Sequence, residues 1–270
     1  AFSTVAIGGF STHNNSIAFW DNPTIEAVAM VFMAIAGINF ALHFSAWRRA
    51  SAQPYFSDPE LKVYSILLLS FAVLVSFALY LTGTYDSLSS SFRSGFFQVI
   101  SALTTTGFTT APFYEWTGFL PVTLICIAFI GGCAGSTAGG MKVIRIILLY
   151  KQSIREVRRL IHPHAVIPIK VGGQRTSDTV ISAVWGFFFL FIASFAVMTV
   201  LLTATGLDAE TAYSAVGACI TNLGPALGDA GPNYASLNDP AKVILSFAML
   251  LGRLEVYTLL VILTPAFWRD

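Results

Sequence analysis

The chain has 270 residues, 55% of them hydrophobic and only 11% charged, with a formal net charge of +1. A soluble domain carries about a quarter charged residues. The deficit, with a mean hydropathy of +0.72, excludes an ordinary water-soluble fold and turns most of the surface toward lipid or other helices. The near-neutral total gives no basis for nucleic-acid binding.

The opening residues, AFSTVAIGGFST, begin abruptly inside a structural unit, so the numbering is expected to start within a longer protein. A membrane-crossing helix needs about 20 mainly apolar residues. Runs of that kind fall at 24–46, 62–83, 178–204 and 240–268. A fifth, 117–131, is short, stops at GGCAGSTAGG and resumes at 141–150, which predicts a broken or re-entrant span. Irregular backbone at membrane depth is tolerated only where protein or a water-filled cavity surrounds it, so this interruption points to function. The three cysteines, Cys126, Cys133 and Cys219, sit in apolar stretches without CxxC spacing and read as buried structural thiols.

Basic residues sort the links between spans. Arg48, Arg49 and Lys62 follow the first span, and Lys142, Arg145, Lys151, Arg155, Arg158, Arg159, Lys170 and Arg175 follow the broken one. Arg269 stands next to the last residue. The alternate links hold only Arg93 and Lys242 among Asp21, Asp86, Glu115, Asp208, Glu210, Asp229 and Asp239. Basic links are therefore expected in the cytoplasm and acidic links outside, where they raise the local cation concentration.

Each external link also carries a short helical pattern, 89–103 and 208–220, the second with Asp208 as N-cap. Each pattern runs into a Thr/Gly turn, TTTGFTT at 104–110 and TNLGPALG at 221–228, and AIGGFST at 6–12 matches them. Alignment puts Gly9, Gly107 and Gly224 together, and likewise Ala6, Thr104 and Thr221. The recurring unit is span, short helix, glycine turn, span, which implies pseudo-symmetry about one axis. One such turn could simply end a helix. Several on one side predict a ring of backbone carbonyls and threonine hydroxyls that replaces the hydration shell of a cation. The carboxyl ends of the short helices add partial negative charge.

The segments FSTVAIGGFSTH (2–13), ALTTTGFTT (102–110), GGCAGSTAGGMKVIR (131–145), ITNLGPALG (220–228) and LGRLEVYTLLV (251–261) are together highly specific, and the likeness they carry extends over essentially the whole chain. Through them it resembles the Trk/Ktr/HKT superfamily of potassium transporters, in its TrkH branch. The resemblance implies an all-α membrane protein of four membrane helix–pore helix–filter loop–membrane helix units with pseudo-fourfold symmetry. Residues 1–60 would end the second repeat, 61–175 form the third with an intramembrane gating loop and a cytoplasmic basic segment, and 176–270 form the fourth. The filter would be Ala6, Ile7, Gly8 and Gly9, then Thr104, Thr105, Thr106 and Gly107, then Thr221, Asn222, Leu223 and Gly224. Potassium is the ion held there and transported, with no organic cofactor. A homodimer in the bacterial inner membrane and a TrkA-like cytosolic nucleotide-binding partner are also implied.

Five glycines fall within residues 131–140, and each costs a helix about 1 kcal/mol relative to alanine. The expected gate comprises Gly131, Gly132, Ala134, Gly135, Ser136, Thr137, Gly139 and Gly140, against the alternative of small-residue helix packing. Arg253 lies roughly 20 Å into the last span at 1.5 Å per residue. It is expected to donate to loop carbonyls around 132–139; the alternative is an ion pair elsewhere. Glu255, two residues on, faces another side, and Arg253 and Glu255 read as the only deep charges. The basic helix from Met141 is expected to reach the cytoplasm, with residues 151–175 docking a regulator. His162 and His164 around Pro163 form a solvated turn or, alternatively, a metal site. A secondary transporter coupled to sodium or protons is the competing function. An intramembrane enzyme lacks a catalytic set.

Overall fold

The computed structural model describes residues 1–254 and 256–268; Glu255 and Arg269, weighed above, lie outside them. The helices run in chain order from α1 (Phe2–Val5) through α2 (Pro23–Ala36), α3 (Phe40–Arg49) and α4 (Gln53–Ser57) to α5 (Pro59–Leu81). Then come α6 (Leu88–Leu103), α7 (Leu120–Ile130) and α8 (Val143–Ile161). The last four are α9 (Asp178–Ala204), α10 (Ala209–Ile220), α11 (Asp239–Arg253) and α12 (Val256–Leu263). The fold is helical apart from a hairpin, β1 (Lys170–Val171) and β2 (Gln174–Arg175), in which Lys170 pairs with Arg175 and Val171 with Gln174. Gly172 and Gly173 make its turn, both at positive φ, and so correct the purely α expectation in the link after α8.

Polar caps start the long helices. Asn22, Asp58 and Asn238 each accept a backbone N–H of the following first turn through Oδ1, and each of those turns contains a proline. Among the described residues, α5 and α9 are long and apolar enough to cross a membrane. Both are hydrophobic all round: Ile66, Leu69, Val73 and Phe77 on α5 and Phe189, Val197 and Val200 on α9 remain exposed. A helix of that kind belongs in lipid.

The expected continuous span 24–46 is not one helix. α2 and α3 meet at 92° across Gly37–Asn39. The run 240–268 likewise divides, with α11 ending at Arg253 and α12 starting at Val256. Together with the interruption after α7, each of the three helices that follow a Thr/Gly turn is therefore broken. Asn39 explains the first break, because its Oδ1 accepts the Ala41 N–H and starts a new helix.

Two cores hold the assembly. One packs α2, α5, α6 and α7 through Met33, Tyr64, Phe97, Leu103 and Leu124; the other packs α9, α10 and α11 through Phe191, Leu202, Ile220 and Leu245. Cys133 and Cys219 are buried as expected, but Cys126 is exposed on α7, with Sγ 3.5 Å from the Tyr213 hydroxyl. Among the described residues no group of His, Cys, Asp or Glu suits a metal ion, so His162 and His164 gain no partners for one.

Arg93 ties α6 to α2. Its Nε and Nη2 donate to Glu26 Oε2 and Oε1, both at 2.7 Å, and Nη2 also donates to Asp21 at 2.8 Å. The Glu26 side chain is only 3% exposed. A fork of two parallel bonds is the strong form of an ion pair, and loss of one partner strands the other charge. Arg93→Met should therefore lower stability by about 2–3 kcal/mol, the low side of the cost of breaking a buried pair because Arg93 is one-third exposed. Thermal unfolding in detergent checks this, and Glu26→Gln added to Arg93→Met should restore part of the loss.

Candidate functional site

Three Thr/Gly turns share one backbone geometry. Ala6, Thr104 and Thr221 end their helices in right-handed conformation at φ −74°, −77° and −84°. The next residues, Ile7, Thr105 and Asn222, all turn left-handed at φ 52°, 57° and 60°, and Gly9, Gly107 and Gly224 do so two positions later. The hydrogen bonds repeat as well. Ile7, Thr105 and Asn222 donate three residues back, and Gly8, Thr106 and Leu223 donate five residues back at 2.8 Å each. This is the Schellman helix ending. Its left-handed position normally holds glycine, and for the β-branched Ile7 and Thr105 that conformation is an outlier.

The turns also meet in order. The Thr106 carbonyl oxygen faces Gly9 and the Leu223 carbonyl faces Gly107, each so closely that a Cβ would collide; Gly224 faces open space. The threonine hydroxyls already have protein partners. Thr104 Oγ1 donates to the Ile100 carbonyl and pairs with Thr106 Oγ1, both at 2.7 Å, and Thr221 Oγ1 donates to Gly217 at 2.8 Å.

Residues 131–142 form a non-helical loop between α7 and α8, and it reaches all three turns. Thr137 Oγ1 donates to the Val5 carbonyl at 3.0 Å, Gly139 N–H to Thr105 Oγ1 at 2.6 Å, and Gly140 N–H to the Thr221 carbonyl at 3.2 Å. Gly139 is required here, because a Cβ would strike the Thr221 carbonyl oxygen. The first break in the helices holds the other side: Cys133 N–H donates to Gly37 and Phe40 N–H to Gly135, at 2.9 and 3.0 Å. Gly131, Gly132, Ala134 and Ser136 complete the turn, with Ser136 Oγ donating to Cys133 at 2.6 Å.

Arg253 Nη1 donates to the Thr137 carbonyl at 3.1 Å, so the last residue of α11 reaches the tip of the loop. Beneath lies a cavity of about 260 Å³ lined by Lys142, Arg145, Arg253, Phe187 and loop glycines. The Arg145 guanidinium stands 4.0 Å from the Phe187 ring centroid, a cation–π distance.

Two participants escape a sequence reading. Lys142 counts there only toward topology, yet its Nζ donates to the Ser136 carbonyl at 3.4 Å and also to Ala138. Glu60 is 7% exposed, and its Oε1 accepts the Ala134 and Ile144 N–H groups at 2.7 and 3.0 Å. Like Glu26, it is a carboxylate buried against protein in the first turn of an apolar helix rather than midway along a span. The available signal was an acid in the first turn of an otherwise apolar span.

Comparison with known proteins agrees along the whole chain. Residues 1–269 match the family described as TrkH, a cation transport protein. The Trk system potassium uptake protein TrkH of Halomonas elongata is 51% identical over 269 residues, covering all of this chain and 56% of the relative. The Escherichia coli Trk system potassium uptake protein TrkG is 38% identical, covering 99% of this chain and 55% of the relative. The crystal structure of the potassium transporter TrkH from Vibrio parahaemolyticus superposes with a TM-score of 0.94 at 46% identity, over 99% of this chain and 58% of that one. The chain spans little more than half the length of these relatives. Its match is to transport proteins rather than enzymes, and the chain belongs to the TrkH cation transport family.

Proposed function

We propose that this chain builds three walls of a potassium-conducting pore and the gate beneath them. The observation that carries this is the single loop, 131–142, hydrogen-bonded to three helix endings of similar backbone geometry. On this reading α6 and α10 are pore helices, and the four residues from Ala6, Thr104 and Thr221 onward are filter segments. Residues 1–60, 61–175 and 176–270 are successive repeats. A further segment completes the ring beside Gly224, where the structure is open.

The chemistry is exchange of ligands. A potassium ion sheds water where carbonyl oxygens replace it at similar distance. The short helices direct their carboxyl ends at that place and stabilise the charge without a carboxylate, which would bind too tightly to release. The loop lies on the oxygens at the inner end of the turns. Lys142, Arg145 and Arg253 line the cavity below it and raise the barrier to a cation until the loop moves. The basic links favour a cytoplasmic side for α8 and the hairpin, in a bacterial inner membrane. Residues 151–175 there would dock a TrkA-like nucleotide-binding subunit, on a homodimer.

Gly107→Ala should abolish flux, because a side chain at φ 81° is strained and meets the Leu223 carbonyl. Rubidium uptake by liposomes holding the full-length protein reads this. Arg253→Ala should raise basal uptake by about tenfold or more, the worth of a charged hydrogen bond that holds the closed state; unchanged uptake by well-folded protein would remove Arg253 from the gate. Potassium, rubidium and sodium should pass without an imposed proton gradient, potassium and rubidium fastest. Strict dependence on that gradient, or on sodium, would instead indicate coupled transport.

A further inference from the structure

Glu60 stands on the second residue of α5, and its carboxylate is buried against the loop rather than turned to the water beyond the helix end. One oxygen, Oε1, accepts both the Ala134 N–H and the Ile144 N–H. These two residues bracket the stretch that reaches the Thr/Gly turns. The bond to Ile144 also serves α8. The residue at that helix's cap position, Lys142, has φ 77° and ψ 135° and provides no side-chain cap. Glu60 supplies the cap from another helix, with its negative charge at the N-terminal end where the helix dipole favours it.

We propose that Glu60 is a positioning residue for gating: its carboxylate staples the two ends of the loop together, so that the tip can bond to all three turns at once. This rests on reading the loop as the gate. Physically, a closed neck removes conformations from the glycine-rich segment between the two bonds. Those conformations otherwise compete with the one in which Thr137, Gly139 and Gly140 meet Val5, Thr105 and Thr221. Arg253 holds the tip at Thr137; Glu60 holds the neck. The two act at separate points on one element, so their effects on the closed state should multiply.

The two bonds to one acceptor oxygen give a specific signature. Glu60→Gln keeps an sp² oxygen at the same reach and can accept both N–H groups. Glu60→Asp keeps the charge but withdraws the oxygen by one carbon. Glu60→Leu removes it. A purely electrostatic or stability role would leave Asp close to wild type and make Gln defective; a staple predicts the reverse.

The test uses the full-length protein, with hydrogen–deuterium exchange in detergent and rubidium uptake in liposomes measured on the same preparations. Glu60→Asp and Glu60→Leu should speed exchange in peptides covering 131–144 by about tenfold or more. Basal uptake should rise comparably, with the potassium-to-sodium preference unchanged, while Glu60→Gln stays within about threefold of wild type in both. If Glu60→Leu fails to fold, Glu60→Asp carries the comparison. Exchange unchanged in Glu60→Asp, or as fast in Glu60→Gln as in Glu60→Asp, would overturn the staple. Faster exchange with unchanged uptake would uphold the staple and overturn the gate reading instead.

Discussion

Every unpaired N–H or C=O in an apolar medium costs several kcal/mol, and residues 131–142 are not helical. That constraint governs the rest of the structure. The loop exists among long apolar helices only because neighbours supply the partners its own backbone gives up. Gly37 and Phe40 do so where α2 and α3 part, as do Glu60 at the start of α5, Arg253 at the end of α11 and the three Thr/Gly turns. The three broken helices are therefore not independent features. The 92° bend at Gly37–Asn39 frees the Gly37 carbonyl for Cys133, and the end of α11 brings Arg253 to Thr137. Each break satisfies another.

Much of this was legible from composition and spacing. The spans at α5 and α9, the short helices α6 and α10 and the cap at Asp208 follow from hydropathy and capping chemistry. The alignment of Ala6, Thr104 and Thr221 is matched by a common set of backbone angles. The bend between α2 and α3 was not legible, because FMAIAGINFALHF stays largely apolar across it. Hydropathy measures the wish to leave water, not the direction of the chain. Glu60 was hidden for a related reason. In sequence it is an ordinary first-turn acid behind a proline, and only the fold brings the loop ends to it. The hairpin at 170–175 is too short for any period to emerge, and only its Gly–Gly pair carried a signal.

The left-handed residue in each turn is a cost that the surroundings must enforce. Such conformations carry on the order of 1–3 kcal/mol each for residues other than glycine. Helix endings elsewhere relieve it with glycine at that position. Here Ile7, Thr105 and Asn222 occupy it, and glycine waits two residues later. Packing explains why the strain persists at Thr105, which is buried and uses its hydroxyl to receive the Gly139 N–H. Glycine there would relieve the backbone but delete an acceptor, leaving a buried donor unpaired. That loss is comparable in size to the strain.

The same comparison shows that the three turns are alike in backbone and unlike in how the loop meets them. The first offers the Val5 carbonyl to a threonine hydroxyl, the second a side-chain hydroxyl to Gly139, and the third the Thr221 carbonyl to Gly140. Two of these partners are main-chain carbonyls, present whatever the side chain, and only the Thr105 hydroxyl depends on the residue at its turn. Divergence between Ile7, Thr105 and Asn222 therefore gives the loop one distinct side-chain handle, while the shared helix endings keep the three turns alike in backbone. A loop that enters from one side can then touch every turn, using two main-chain acceptors and the one side-chain acceptor that the second turn alone provides.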